Sequence, residues 1–173
     1  WDGSKGDALW EHLMAVGGPM GLHPGHTSSI RRIEAAMLSY HADMTLENNP
    51  FELGMDRLVD LDMAADFVSK AALKRIKAAG VSQYQVGITI DGPPITGSND
   101  ENWPVLSNDT IVGKITSAVH SPRLGKNIAL ALVAADHAAT GTMVSIDMAG
   151  DLRQAEIVPK PFFDPKKTLA AKG

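Results

Sequence analysis

Cysteine is missing from the 173-residue sequence, which excludes a disulfide, a thiolate nucleophile and a cysteine-ligated zinc, and fits a reducing, cytoplasmic compartment. An excess of basic residues is also missing, since 16 Lys and Arg stand against 20 Asp and Glu for a net charge of -4. Nucleic acid and anionic membrane are both held through a basic face, so neither is an expected partner. The longest wholly apolar run, Ile128 to Ala135, falls far short of the roughly 20 residues that a bilayer span takes, and reads as a buried strand. At Trp1 there is neither an initiator methionine nor a charged-then-apolar leader, an opening that reads as a fragment or a processed chain.

What is present divides near residue 80. In SKGDALWEHLMAVGG, the residues Leu9, Trp10, Leu13 and Met14 share one helical face, and Gly17, Gly18 and Pro19 stop the helix. Thr27, Ser28 or Ser29 can cap a second helix with a buried stripe of Ile30, Ile33 and Met37, leaving Arg31, Arg32 and Glu34 on other parts of its circumference. A third helix starts near Ser69, buries Leu73 and Ile76, gathers Lys74, Arg75 and Lys77 toward its negative end, and stops at Gly80. From Gln83 the period becomes alternating: Tyr84, Val86, Ile88 and Ile90 lie on one face, and DGPP follows as a turn. Further strands are predicted at TIVGKITSAV, NIALALVAAD, GTMVSID and RQAEIV, separated by SPRLGK, HAAT and MAGD. The expectation is a helix-rich α+β part over 1–80 and an antiparallel barrel or sandwich over 81–173.

The chemistry-bearing residues admit plain readings. Arg31, Arg32 and Glu34 on a helix surface read as a solvated face with a weak intrahelical pair, about 0.3–0.5 kcal/mol. The sharper reading uses an arginine fork to grip a carboxylate in two parallel hydrogen bonds, with Tyr40 as a stacking ring. His23, His26, His41 and Asp43 can be drawn as a metal site, but the Pro-Gly between the first two breaks any helical register and no HExxH spacing exists, so no metal is expected. GGPMG lacks the GK[ST] ending of a phosphate loop, and no G-x-S-x-G elbow supports a serine hydrolase. Glu52 follows Pro50 and reads as favourable charge in the first turn of a short helix; Asp43 and Glu47 read as loop or cap residues.

Taken together, RRIEAAMLSYHADMTLENNPFELGMDRLV resembles the R-x-E-A-x-x-x-x-Y and N-x-P-x-E-x-G-[LM] segments of the folate-dependent aminomethyltransferase family, the T-protein of glycine cleavage. DFVSKAALKRI is similar to that family's F-[IV]-G-K-x-A-L helix start, and VGKITSAVHSPRLGKNIALALV to its G-x-[IV]-T-S-x-x-x-S-P-x-L-x-x-x-I-A-L-A segment. GTMVSI and PKPFFDP fit its last strands. The likeness runs in collinear order along nearly the whole chain. LSYHADMT, NNPFELGMDRLVDLD and Trp103 after IDGPP look closer to the dimethylsulfoniopropionate demethylase branch. Two departures are HPGHTSSI, in place of a Gly-Cys-Pro-Asn-type loop, and Ser69, in place of the usual glycine before the lysine.

The resemblance implies the C-terminal portion of a three-part cloverleaf fold that holds tetrahydrofolate in a central channel and ends in an antiparallel β-barrel. Residues 1–80 would close the folate-binding region and 81–173 would form the barrel domain. Arg32 and Tyr40 fall on the positions nearest the folate, with Glu34, Glu52 and Trp103 in support. The catalytic residues and the pterin-binding glutamate are expected upstream of Trp1, so a polypeptide beginning there is expected to be inactive alone. In the demethylase version, N5 of tetrahydrofolate takes a methyl group from a small sulfonium-type donor. The alternative is aminomethyl transfer from a lipoyl group with release of ammonia. A non-catalytic folate-binding or interaction module belongs to another class, and its cysteine-motif branch does not fit a chain without cysteine. Implied partners are the methyl donor and an N-terminal half on the same or a separate chain, with a homodimer left open.

Overall fold

The structure, a computed structural model, describes residues 2–25, 28–97, 99 and 101–169. His26 and Thr27, candidates for metal ligation and for capping, lie outside the described residues, as does Trp1. Three helices, α1 (Gly6–Gly17), α2 (Ser29–Glu34) and α3 (Lys70–Ala79), precede strands β1 (Gln83–Ile90), β2 (Trp103–Ser107), β3 (Thr110–Ser121), β4 (Lys126–Ala134), β5 (Met143–Met148) and β6 (Asp151–Val158). Among the described residues, no helix is long and apolar enough to cross a membrane.

The helix stops follow backbone chemistry. Pro19 and Gly18 turn the end of α1 into a 3-10 turn that closes on Gly21 at φ 88°. Ser28 caps α2, its hydroxyl accepting from Arg31 N at 3.4 Å. That helix is shorter than its apolar spacing predicts. Ala36 sits at φ 52°, so the chain leaves helical geometry before Met37, which is 63% exposed and not part of the buried stripe. Gly80 ends α3 at φ 79°. Ser69, at the position where the resemblance implies glycine, lies at φ 72°, in the region that only glycine enters without cost.

All six strands close into one antiparallel barrel in the order β1-β4-β3-β2-β5-β6. Alternation puts Val86, Ile88, Ile90, Ile115, Val133, Ile146 and Ile157 among the residues of one core cluster. A barrel this narrow is filled by its own side chains. The β2 strand was not legible because it is short and contains Pro104, a residue that demotes a strand pattern. The joins are unequal: β2 meets β5 at only two residue pairs, Val105↔Ile146 and Leu106↔Ser145.

β4 is buried from Asn127 to Val133 without a break. Its inward residues Ala129, Ala131 and Val133 belong to the barrel core. Ile128 and Leu130 point outward and pack with Ile33 of α2, flanked by Leu38, Val119 and Phe162. Coverage of both faces is why the apolar run IALALV is continuous instead of alternating. Each of these isoleucine and leucine side chains contributes roughly 1.5–3 kcal/mol by leaving water. Beside β4, Gly113 allows a close strand approach, since a Cβ there would lie 2.3 Å from the Leu132 carbonyl oxygen.

Candidate functional site

The segment after α2 returns to the barrel and buries Asp43, whose side chain has no exposure. Its Oδ2 accepts from Ser39 N at 2.8 Å and from Arg32 Nη1 at 2.5 Å. Its Oδ1 accepts from Thr116 Oγ1 at 2.6 Å and Ser117 Oγ at 2.7 Å. The same arginine donates through Nη2 to Ser117 Oγ at 2.9 Å and through Nη1 to the Met37 carbonyl at 3.2 Å. Two strand hydroxyls, a backbone amide and a guanidinium therefore satisfy one buried carboxylate, the condition for burying such a charge at all. Reading Asp43 as a loop or cap residue misses this hub. The available signal was the polar pair Thr116-Ser117 set between Ile115 and Ala118, where alternation would bury one of the two.

Arg32 lines a cavity of about 350 Å³ together with Ser29, Thr116, Ser117, Asn99 and Val119. About a quarter of its side chain, 24%, remains exposed. A partly bonded guanidinium at a cavity wall can still offer an N–H edge to a carboxylate or carbonyl, although the two-pronged fork expected from the sequence is largely committed to Asp43 and Ser117. Tyr40 is half exposed and is not among the residues lining this cavity; its ring meets that of His41 at 4.3 Å between centroids. His41 holds φ 73°, an uncommon backbone state for a residue with a Cβ. It lines a second cavity of about 170 Å³ with Asp43, Glu47, Asn48, Gln83 and Lys114, which shares Ala42 and Thr116 with the first.

The supporting residues go elsewhere. Glu34 braces the end of β3, accepting from Ser121 Oγ at 2.5 Å and facing Arg123 Nη1 at 3.6 Å, and makes no bond to Arg32. Glu52 lies in a turn segment and not at a helix start; its Oε2 accepts from Asn48 Nδ2 at 3.1 Å and Gln83 Nε2 at 3.3 Å. Trp103 packs partly buried against the barrel core. Arg31 and His23 are exposed. Among the described residues, no group of three His, Asp or Glu side chains is placed to hold a metal ion.

Lys160 escaped the sequence reading. It donates to Gln85 Oε1 and lines a groove of about 580 Å³ with Arg57, Lys167, Met37 and Leu58. Burial lowers its pKa to about 8, against the opposing pull of the Asp43 charge. Gln85 Nε2 and Asn99 Nδ2 are buried without a partner among the described residues.

A filled antiparallel barrel with a helix and a polar segment clamped to its outside defines a class in which the cavities lie against the barrel and not within it. Known proteins place that class. Residues 1–63 match the GCVT N-terminal domain, and residues 84–164 match the glycine cleavage T-protein C-terminal barrel domain. The aminomethyltransferase of Synechococcus sp. (strain CC9902) is 38% identical over 91% of this chain and 42% of its own length. The dimethylsulfoniopropionate demethylase of Ruegeria pomeroyi is 33% identical over 90% of this chain and 42% of its own. A crystal structure of the glycine cleavage system aminomethyltransferase T from Bartonella henselae shares the fold at a TM-score of 0.69, with 19% identity, covering 92% of this chain and 44% of that one. The chain belongs to the glycine cleavage T-protein family and corresponds to its C-terminal half.

Proposed function

We propose that this chain is the C-terminal portion of a tetrahydrofolate-dependent one-carbon transferase of the aminomethyltransferase type. The observation that carries the reading is the collinear match to both family domains together with the 38% identity to an aminomethyltransferase. This reverses the order suggested by LSYHADMT and Trp103, since the demethylase relative stands at 33%. In this reading residues 1–80 complete the folate-binding region and 81–173 form the barrel domain.

Tetrahydrofolate, when bound, supplies the nitrogen that accepts the one-carbon unit. The residues at hand fit it in part. Arg32 lines a cavity with hydroxyls around it, suited to an acidic or carbonyl oxygen. Tyr40, half exposed nearby in sequence, offers a ring face. Asp43 fixes the arginine, so that the guanidinium meets its ligand already oriented, and orientation is a large part of what a transferase supplies. The donor in this reading is a lipoyl-bound aminomethyl group, with ammonia released.

The test joins this chain to the N-terminal half of the Synechococcus relative and titrates the product calorimetrically with tetrahydrofolate, then assays it with an aminomethyl-lipoyl donor and with dimethylsulfoniopropionate. Saturable binding and turnover of the first donor are expected. Turnover of the second alone would install the demethylase reading, binding without turnover a non-catalytic module, and no binding would remove the folate assignment.

A further inference from the structure

Asn99 carries a buried donor with no acceptor to meet it. Its Oδ1 accepts from the Ala118 amide at 2.9 Å, and since a backbone N–H only donates, the carboxamide has one sensible orientation. The other end of the amide, Nδ2, is therefore the atom left buried without a partner among the described residues. Buried polar groups are nearly always paired, so an orphan of known orientation calls for a physical reason. Asn99 lines the same cavity of about 350 Å³ as Arg32. The two side chains are anchored on consecutive residues of β3, Arg32 Nη2 on Ser117 Oγ at 2.9 Å and Asn99 Oδ1 on the Ala118 amide.

Arg32 has spent much of its own capacity. Nη1 donates to Asp43 and to the Met37 carbonyl, and Nη2 gives a hydrogen to Ser117, which leaves Nε–H and the second Nη2 hydrogen without acceptors among the described residues. No acidic side chain lines the cavity, and Ile33, Ala42 and Val119 give it apolar wall. We infer that Asn99 Nδ2 and the free edge of Arg32 are the paired donors of a carboxylate-binding site, Asn99 supplying the donor that the arginine fork has given up to Asp43. The ligand class is a carboxylate on an apolar body, since both free groups donate and the remaining wall is greasy. For the natural ligand the inference rests on the folate reading, in which the carboxylate held is the ligand's own.

Asn99→Asp tests this, because aspartate keeps the acceptor for the Ala118 amide and exchanges only the orphan donor for an acceptor. The chain fused behind the N-terminal half of the Synechococcus relative is titrated calorimetrically with tetrahydrofolate and, separately, with benzoate, a carboxylate on an apolar ring. Asn99→Asp should weaken both by roughly tenfold or more, the worth of one hydrogen bond to a charged group, with the urea midpoint unchanged. In the parent, labelled with 15N-asparagine, the Asn99 side-chain amide signal should shift on saturation with benzoate, while that of Asn108, exposed on the turn between β2 and β3, should stay. Equal affinities in parent and variant, or an unmoved Asn99 signal at saturation, would overturn the inference and leave the folate reading standing. Benzoate binding that the variant loses, with no tetrahydrofolate binding in the parent, would keep the inference and discard the functional reading. A parent that binds neither would remove both.

Discussion

Replacing Arg32 with methionine should cost far more stability than a surface arginine ordinarily would. Methionine keeps most of the apolar stem and leaves Asp43 without its hydrogen-bonded counterion, in a place with no solvent exposure, with the Ser39 amide, two hydroxyls and the more distant charge of Lys160 for company. Breaking a buried ion pair from one side costs about 3–5 kcal/mol. The 24% exposure of Arg32 allows water to recover part of this, so about 2–4 kcal/mol is expected. With a urea m-value of about 2 kcal/mol per molar, the unfolding midpoint should fall by roughly 1–2 M. The double variant Arg32→Met with Asp43→Asn should recover at least 1 kcal/mol relative to the sum of the singles, because an amide needs no counterion. A loss below about 1 kcal/mol for Arg32→Met, or additivity within about 0.5 kcal/mol, would refute the tether.

Gly113→Ala should destabilise by about 2–3 kcal/mol in thermal or urea unfolding, because the added methyl would meet the Leu132 carbonyl oxygen at 2.3 Å and a strand must move. Ser69→Gly should stabilise by about 0.5 kcal/mol, the relief of a left-handed φ less the entropy of glycine, since the serine makes no side-chain cap bond that would be lost; the shift is about 1–2 °C by calorimetry. Lys160 should make stability rise between pH 8 and 10.5, where the unfolded chain still holds a proton that the folded one has released. Below pH 8 both forms are protonated and the burial cost is present in full. Comparing unfolding midpoints at pH 7.5 and 10 with those of Lys160→Met should show the rise in the parent only.

The barrel was legible in the sequence where alternation is undisturbed: Val86, Ile88 and Ile90 share the inward face as the period predicts. It was illegible where something outside the barrel changes the rule. Gln85 and Gly87 are as buried as their neighbours because chain from elsewhere covers them, with the Phe162 ring against Gly87. The candidate site was legible as residue types and not as wiring. Arg32 and Asp43 are eleven residues apart, and their hydroxyl partners lie more than seventy further on, a separation at which no spacing rule operates. α1 shows another case, in which the period gives the helix while none of its residues is buried.

Sandwiching β4 between the barrel core and α2 also decides where this protein can be cut. The two family domains meet in sequence between residues 63 and 84, an inviting place to truncate for expression. A barrel started there would lose Ile33 and turn Ile128 and Leu130 into a greasy stripe on its outer wall. Thr116 and Ser117 would face solvent without Asp43 beside that stripe. Such a product is destined for inclusion bodies, and a soluble barrel would have to begin no later than Ser28.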